Sequence, residues 1–224
     1  MIIVFSGVDG SGKSTQIDIL KEQVLQQGHT VYSVWSRGGY TPGFELLKKV
    51  LRFILGKKSI PSGRDKKRDK AMSNSLVIRL WLMIAMLDLL VLYVITIRFK
   101  SFLGNVVICD RYLGDTLIDF SLNFSSSNFE KMWLWKLLVV IYPKPDVGFL
   151  FTLPVKESLG RSKLKNEPFP DSKEVLENRL KIYEASELFN DKNWVKIDGL
   201  DSIDSSAQTI EEKAFFALNY INAS

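Results

Sequence analysis

Glycines, a lysine and two hydroxyl residues follow the first hydrophobic stretch of the chain. Residues 7–14 read GVDGSGKS, which fits the pattern G-x-x-x-x-G-K-[ST] without a mismatch. Glycines let backbone N–H groups turn toward an anion, while the lysine reaches phosphate oxygens and the serine hydroxyl contacts Mg²⁺. The segment therefore predicts a site for ATP and Mg²⁺. The candidate ATP-binding residues are Gly7, Gly10, Ser11, Gly12, Lys13, Ser14 and Thr15.

The elements that must position this loop alternate along the chain. Short hydrophobic runs predict strands at 2–5, 30–35, 106–109, 147–153 and 194–198. Helical spacing predicts helices at 14–27, 44–55, 80–97, 129–141, 155–164, 172–189 and 205–222, with another directly after residue 112. Strands that alternate with helices predict an α/β fold, in which a parallel sheet is covered on both faces. We expect residues 1–224 to form a single domain.

Composition narrows the class of protein. The chain has 224 residues, 46% hydrophobic and 25% charged, which is typical of a folded domain. Its formal net charge of +5 suits an anionic ligand such as a nucleotide and is too small to indicate nucleic acid as a partner. The single cysteine excludes an internal disulfide, and the N-terminus lacks the pattern of a signal peptide. We expect a cytoplasmic protein.

Four segments together resemble a known family. The loop reads F-x-G-x-D-G-x-G-K-S-T, and an aspartate between its glycines is similar to the loop of thymidylate kinases, which are nucleoside monophosphate kinases. Residues 106–112 (VVICDRY), 143–161 and 194–199 (WVKIDG) resemble further segments of that family in the same order. The resemblance implies a P-loop NTPase fold with a five-stranded parallel sheet and a mobile lid at about 155–172. It also implies transfer of the ATP γ-phosphate to dTMP, giving dTDP, and a homodimer formed through long apolar helices.

The resemblance also implies roles for individual residues. Asp9 matches the loop carboxylate that lies near the acceptor sugar, although a turn-stabilising aspartate is the alternative. Asp110 is placed to hold Mg²⁺ or its waters, and the planar fork of Arg111 suits the acceptor phosphate. A structural ion pair between these two residues is the alternative. Arg37, after the second predicted strand, partly matches an arginine near the acceptor phosphate.

The predicted lid carries the remaining candidate cations. Arg161, Lys163 and Lys165 fall where related lids carry spaced arginines, and Arg161 and Lys165 are our candidates for catalysis. They would stabilise charge on the transferring group while the lid excludes water. Residues two apart on a helix do not share a face, so we expect at most two of the three to reach the phosphates. A solvated basic helix is the alternative for each.

The acceptor side departs from the family. Where thymidylate kinases carry an arginine in their long third helix, this chain has Met86, Leu87 and Asp88. Asp115 and Asp119 follow the DRY segment and share one helical face; they either bind hydroxyls or amines of an acceptor or form an acidic stripe facing solvent. The acceptor is thus dTMP, another nucleotide, a nucleoside or a hydroxylated small molecule. A P-loop regulatory protein with little turnover is the alternative from another class.

Two stretches bear on partners. Residues 80–97 are apolar over nearly the length of a membrane span, with Asp88 near the centre. We expect a helix buried in the core or in a homodimer interface, and contact with a membrane is the alternative. Seven Lys and Arg residues at 57–70 predict a solvated loop, with contact to an anionic substrate or a membrane surface as the alternative.

Overall fold

The computed structural model describes residues 1–36, 75–165 and 171–222. Its centre is a sheet of five parallel strands in the order β2-β3-β1-β4-β5. The strands are β1 (Ile2–Gly7), β2 (Val31–Trp35), β3 (Val106–Asp110), β4 (Val147–Thr152) and β5 (Trp194–Asp198). All five lie where the sequence predicts them, and the α/β fold is confirmed.

Helices connect the strands and cover the sheet. They are α1 (Lys13–Gln26), α2 (Ser75–Phe102), α3 (Leu113–Asn123), α4 (Trp133–Ile141), α5 (Val155–Leu164), α6 (Lys173–Ala185) and α7 (Ile203–Asn222). The predicted helix at 44–55, the basic run at 57–70 and Arg37 lie outside the residues that the structure describes, as do residues 166–170 of the predicted lid.

Alternating side chains of the strands build the two halves of the core. On one face, Ile2, Val4 and Val107 pack with buried residues of α2, α3 and α4. On the other face, Ile3 and Phe5 pack with buried residues of α1 and α7. Successive side chains of a strand point to opposite faces, so hydrophobic runs in β1 and β3 fit a sheet that is buried on both sides. The predicted coverage of both faces is confirmed.

Three helices differ from their predicted bounds by more than two residues at one end or at both ends. The helix predicted at 129–141 begins at Trp133, because Met132 is extended (φ −68°, ψ 138°) after a 3₁₀ turn at Phe129–Lys131. The helix predicted at 172–189 ends at Ala185, because Ser186 is extended and its hydroxyl accepts from the Leu188 N–H. The long apolar helix runs over Ser75–Phe102 rather than 80–97, and its part Val91–Ile97 is π-helical.

Helix α2 is long and apolar enough to cross a membrane by length and composition, and only 33% of its most apolar 18-residue window is buried. Its outward side chains lie along one stripe of the helix. Leu76, Leu80, Leu87, Val91, Ile95, Phe99 and Phe102 are exposed. Helix α4 packs beside α2 and adds exposed Trp133 and Val140. This pair of helices therefore presents a broad apolar surface, which we call the α2–α4 face.

Candidate active site

The phosphate loop joins the carboxyl end of β1 to the start of α1, as the sequence predicts. Gly10 and Gly12 have φ angles of +78° and +94°, which only glycine adopts without strain. The Lys13 ammonium folds over the loop and donates to the Val8 carbonyl at 2.6 Å and to Ser11 Oγ at 3.3 Å. Ser14 and Thr15 are exposed at the first turn of α1. Loop N–H groups and helix N-terminus together suit an anion.

Burial lowers the pKa of the Lys13 ammonium from its ordinary value to about 8. This value includes a smaller lowering of the pKa by the neighbouring Arg111 guanidinium and an opposing rise caused by the carboxylates of Asp9, Asp115 and Asp110. A desolvated ammonium gains more from an incoming phosphate than an exposed one, because water does not screen the pair. The residue is thus electrostatically prepared for an anionic ligand.

Arg111 lies beside the phosphate loop because β3 pairs with β1. Phe5 is the register partner of Asp110, and the Arg111 N–H donates to the Phe5 carbonyl at 2.8 Å. The guanidinium forms an ion pair with Asp9 of the loop and a second one with Asp115 at 3.3 Å. Its φ of +70° places the backbone in the left-handed region, which is rare for a residue other than glycine.

The charges around Arg111 keep it ionised. Burial alone would lower the pKa of this guanidinium, but the surrounding oxygens of Tyr183, Asp115 and Asp9 hold it above its ordinary value. Arg111 is 5% exposed, so this cation is fixed at the edge of the site rather than hydrated. Its ion-pair partners are Asp9 and Asp115, whereas the predicted alternative paired it with Asp110. The structure does not show that pair among the residues it describes.

Asp115 and Asp119 are buried, at 1% and 4% exposure, so the predicted solvent-facing acidic stripe is wrong. Helix α6 covers this face of α3 and supplies one cation, Arg179, and one phenol, Tyr183, to it. Asp119 forms a buried ion pair with Arg179 at 2.9 Å, and Arg179 also pairs with Asp171 at 3.2 Å. The oxygens of Asp115 accept from donors of Ser6, Gly7, Arg111, Tyr112 and Tyr183.

Helix α5, the described part of the predicted lid, lies directly on the phosphate loop. Ser158 Oγ donates to the Asp9 carbonyl at 2.8 Å. The Arg161 guanidinium donates to the carbonyls of Gly10 and Gly199, both at 3.0 Å. Lys163 and Lys165 are exposed. The structure thus brings one of the three predicted lid cations to the loop.

Sequence reasoning did not identify Tyr183, Arg179 or Ser158 as part of this site. One signal was available for Arg179, because it shares a face of α6 with buried Leu176 and Tyr183. An arginine at a core-facing helical position needs a carboxylate partner. Nothing in the sequence says which carboxylate that is.

The residues present fit a magnesium ion that ATP helps to bind. Ser14 and Asp110 offer a hydroxyl and a carboxylate oxygen next to the phosphate loop, and Mg²⁺ usually takes few protein ligands beside substrate phosphates and water. In residues 1–36, 75–165 and 171–222, no group of three His, Cys, Asp or Glu side chains could hold a metal by itself. Burial raises the pKa of the Asp110 carboxyl, although Lys13 and Arg111 nearby oppose that shift.

Known proteins with similar sequences include thymidylate kinases. No family model matches the chain. A probable thymidylate kinase of Pyrococcus horikoshii is 32% identical over 168 residues, which are 73% of this chain and 70% of the archaeal one. One of Thermococcus kodakarensis is 30% identical over 205 residues, 82% and 84% of the two chains. The thymidylate kinase of Bartonella henselae is 25% identical over 218 residues, 94% and 93% of the two chains.

Proposed function

The chain belongs to the thymidylate kinase family of nucleoside monophosphate kinases, and on that premise we propose that its acceptor is dTMP. An oxygen of the dTMP phosphate attacks the γ-phosphorus of ATP, the bond to the bridging oxygen breaks, and ADP leaves. The observation that carries the proposal is the position of Arg111, whose guanidinium contacts Asp9 in the phosphate loop itself. A cation suited to an acceptor phosphate thus lies beside the loop suited to the donor phosphates.

Each charged side chain has a distinct proposed role. Lys13 binds the β- and γ-phosphates and stabilises the charge that develops between them. Arg111 orients the acceptor phosphate. Asp9 lies in the phosphate loop with its side chain 38% exposed, and its proposed partner is the acceptor sugar. Bound Mg²⁺, held by Ser14 and Asp110, would neutralise phosphate charge. Because Arg37 is outside the described residues, its acceptor contact stays a prediction from the sequence.

The lid helix supplies the third protein cation of the proposed mechanism, after Lys13 and Arg111. Arg161 is the candidate, because its guanidinium already donates to the carbonyls of Gly10, in the phosphate loop, and Gly199, directly after β5. A γ-phosphate oxygen is a stronger acceptor than a neutral carbonyl, so bound ATP competes for this fork. Lys165 is exposed at the C-terminal end of α5, and it would reach the phosphates only if this end of the helix moved.

A different acceptor on the same scaffold is the second candidate function. Where the family carries a nucleotide-contacting arginine, α2 has Met86, Leu87 and Asp88, and Met86 is fully buried in the core. Another nucleotide, a nucleoside or a hydroxylated small molecule would suit this arrangement, so the test must offer all these classes beside dTMP. That test is an ADP-release assay with Mg-ATP and each acceptor in turn.

The activity is expected to fall as the pH rises through about 8. The pKa of Lys13 in the nucleotide-free chain is about 8, so the ammonium that binds phosphate is present below this pH and is lost above it. The pH dependence of kcat/KM reports the free enzyme, and we expect kcat/KM for ATP to decrease about tenfold per unit above pH 8. Buried Cys109 does not titrate there, because burial raises its pKa. In Lys13→Arg the remaining activity should lack this decrease; a wild-type profile that stays flat to pH 10 would contradict the assignment.

We further propose that two copies of the chain associate through the α2–α4 face. Relatives in the family often dimerise through long apolar helices, and large apolar side chains are exposed along α2, as is typical of an interaction surface. Sedimentation of the full chain should give a dimer, and Ile95→Lys should give a monomer. Phe216→Lys, on α7, is the matched control and should stay dimeric. A monomeric wild type that floats with phospholipid vesicles would instead support the membrane alternative.

A further inference from the structure

The carboxylate of Asp115 joins three parts of the site. Its Oδ2 accepts from Ser6 Oγ at 2.5 Å and from the Tyr112 N–H at 3.0 Å. Its Oδ1 accepts from the Tyr183 hydroxyl at 2.6 Å and from the Arg111 guanidinium at 3.3 Å. The Gly7 N–H lies 3.5 Å from the same oxygen.

These five donors occupy a side chain that is only 1% exposed. A carboxylate has about four lone-pair positions, so its hydrogen-bonding capacity is filled by the protein. Direct contact with an acceptor hydroxyl, which the sequence suggested, would require one of these donors to leave. The geometry favours a role that acts through Arg111.

The donors come from three separate elements of the fold. Ser6 and Gly7 end β1 and begin the phosphate loop, and Tyr112 caps α3. Tyr183 belongs to α6, the helix that follows the lid segment. Burial raises the pKa of Tyr183 well above its ordinary value, and Asp115 raises it further, so the phenol stays protonated and remains a donor.

Close packing fixes this arrangement. Gly114, which precedes Asp115, lies against the Phe189 ring, and a Cβ at this position would be 2.2 Å from the nearest ring carbon. The Phe189 ring packs on Tyr183, with centroids 5.2 Å apart. Only glycine therefore lets the segment after α6 approach the start of α3 closely enough for the Tyr183 hydroxyl to reach the carboxylate.

We propose that Asp115 is a positioning residue that holds Arg111 for the acceptor phosphate and links it, through Tyr183, to the helix after the lid. Arg111 has two ion-pair partners, and Asp9 is the more exposed of them. Asp115 holds the guanidinium from the buried side. It also accepts a hydrogen bond from the N–H of Tyr112, the residue after Arg111, and this bond supports the left-handed backbone at Arg111. This inference rests on the proposed function of Arg111.

The test compares Asp115→Asn and Tyr183→Phe with wild type in steady-state assays with dTMP and ATP. A hydrogen bond to a charged group contributes about 1.5–3 kcal/mol, so we expect KM for dTMP to rise about tenfold or more in both variants. KM for ATP should stay unchanged in Tyr183→Phe and rise less than KM for dTMP in Asp115→Asn, because Asp115 also accepts from Ser6 and Gly7 at the phosphate loop. A substitution that only destabilises the fold lowers the fraction of active enzyme and therefore the apparent kcat. It leaves KM for dTMP and KM for ATP unchanged. Tyr142→Phe is the control: it removes the phenol hydroxyl of a partly buried tyrosine at the C-terminal end of α4, which is not among the donors to Asp115.

A second measurement does not depend on turnover. Amide hydrogen exchange of the substrate-free chain should become faster at Arg111 and Tyr112 in Asp115→Asn and stay unchanged in β4. Unchanged exchange at Arg111 and Tyr112, or an equal rise of both KM values, would overturn the proposal. If wild type phosphorylates no acceptor but exchange changes as expected, the proposed function fails while the positioning of Arg111 by Asp115 stands.

Discussion

Replacing Lys13 by methionine is expected to lower kcat by about 10²–10³-fold, the usual loss when one preorganised donor to a transition-state oxygen is removed. Methionine keeps the length and apolar character of the stem and deletes only the ammonium. Because the Lys13 side chain is buried across the loop, no neighbouring lysine can replace it. Initial rates of ADP release at saturating Mg-ATP measure the effect.

Lys21→Met is the matched control for this experiment. Lys21 is exposed on the same helix, α1, two turns beyond Lys13, and its loss should leave kcat unchanged. Thermal unfolding of both variants shows whether the helix remains intact. A Lys13→Met enzyme with the kcat of wild type would mean that the loop does not act on the transferring phosphate.

Replacing Arg111 by lysine is expected to lower kcat/KM for dTMP by about 100-fold, the size of effect that a misplaced reacting group produces. Lysine keeps the positive charge between Asp9 and Asp115 but loses the planar fork that binds phosphate in two places. KM for ATP should stay unchanged, because the proposed role of Arg111 is to bind the acceptor phosphate and not the donor phosphates. Arg111→Ala is less informative, because it leaves buried Asp115 without this partner, and such a loss costs about 3–5 kcal/mol of stability.

Arg98→Lys serves as the comparison for Arg111→Lys. The Arg98 guanidinium is exposed and donates to the Ile141 carbonyl at 2.8 Å, at the far end of α2 from the phosphate loop. Its kinetic constants should match wild type. If Arg111→Lys and Arg98→Lys both have the kcat/KM for dTMP of wild type, Arg111 does not bind the acceptor phosphate.

Local patterns predicted the phosphate loop and the sheet, because both depend on neighbours in the chain. The glycine spacing of residues 7–14 and the β-branched runs of β1 and β3 determine backbone conformation and burial directly. Relative placement of β1 and β3 follows from parallel pairing, which brings Asp110 and Arg111 to the carboxyl edge beside the loop. The candidate site could therefore be assembled in outline from the sequence.

The environment of Asp115 and Asp119 could not be predicted. Their spacing shows that they share a face of α3, but it does not show what covers that face. Tyr183 is 68 residues from Asp115, and Arg179 is 60 residues from Asp119, so both contacts depend on how α6 packs. The same reason applies to the lid: helical spacing gave the bounds of α5, whereas the contact of Arg161 with Gly10, 151 residues away, depends on docking.

The acceptor is the central claim, and one assay tests it most directly. Purified chain with Mg-ATP is offered dTMP, other nucleoside monophosphates, nucleosides and sugars, and both ADP release and the phosphorylated product are measured. Our account predicts ADP release that depends on dTMP, with one dTDP formed for each ADP. Release that depends only on another acceptor, or no release above background with any of them, would contradict it.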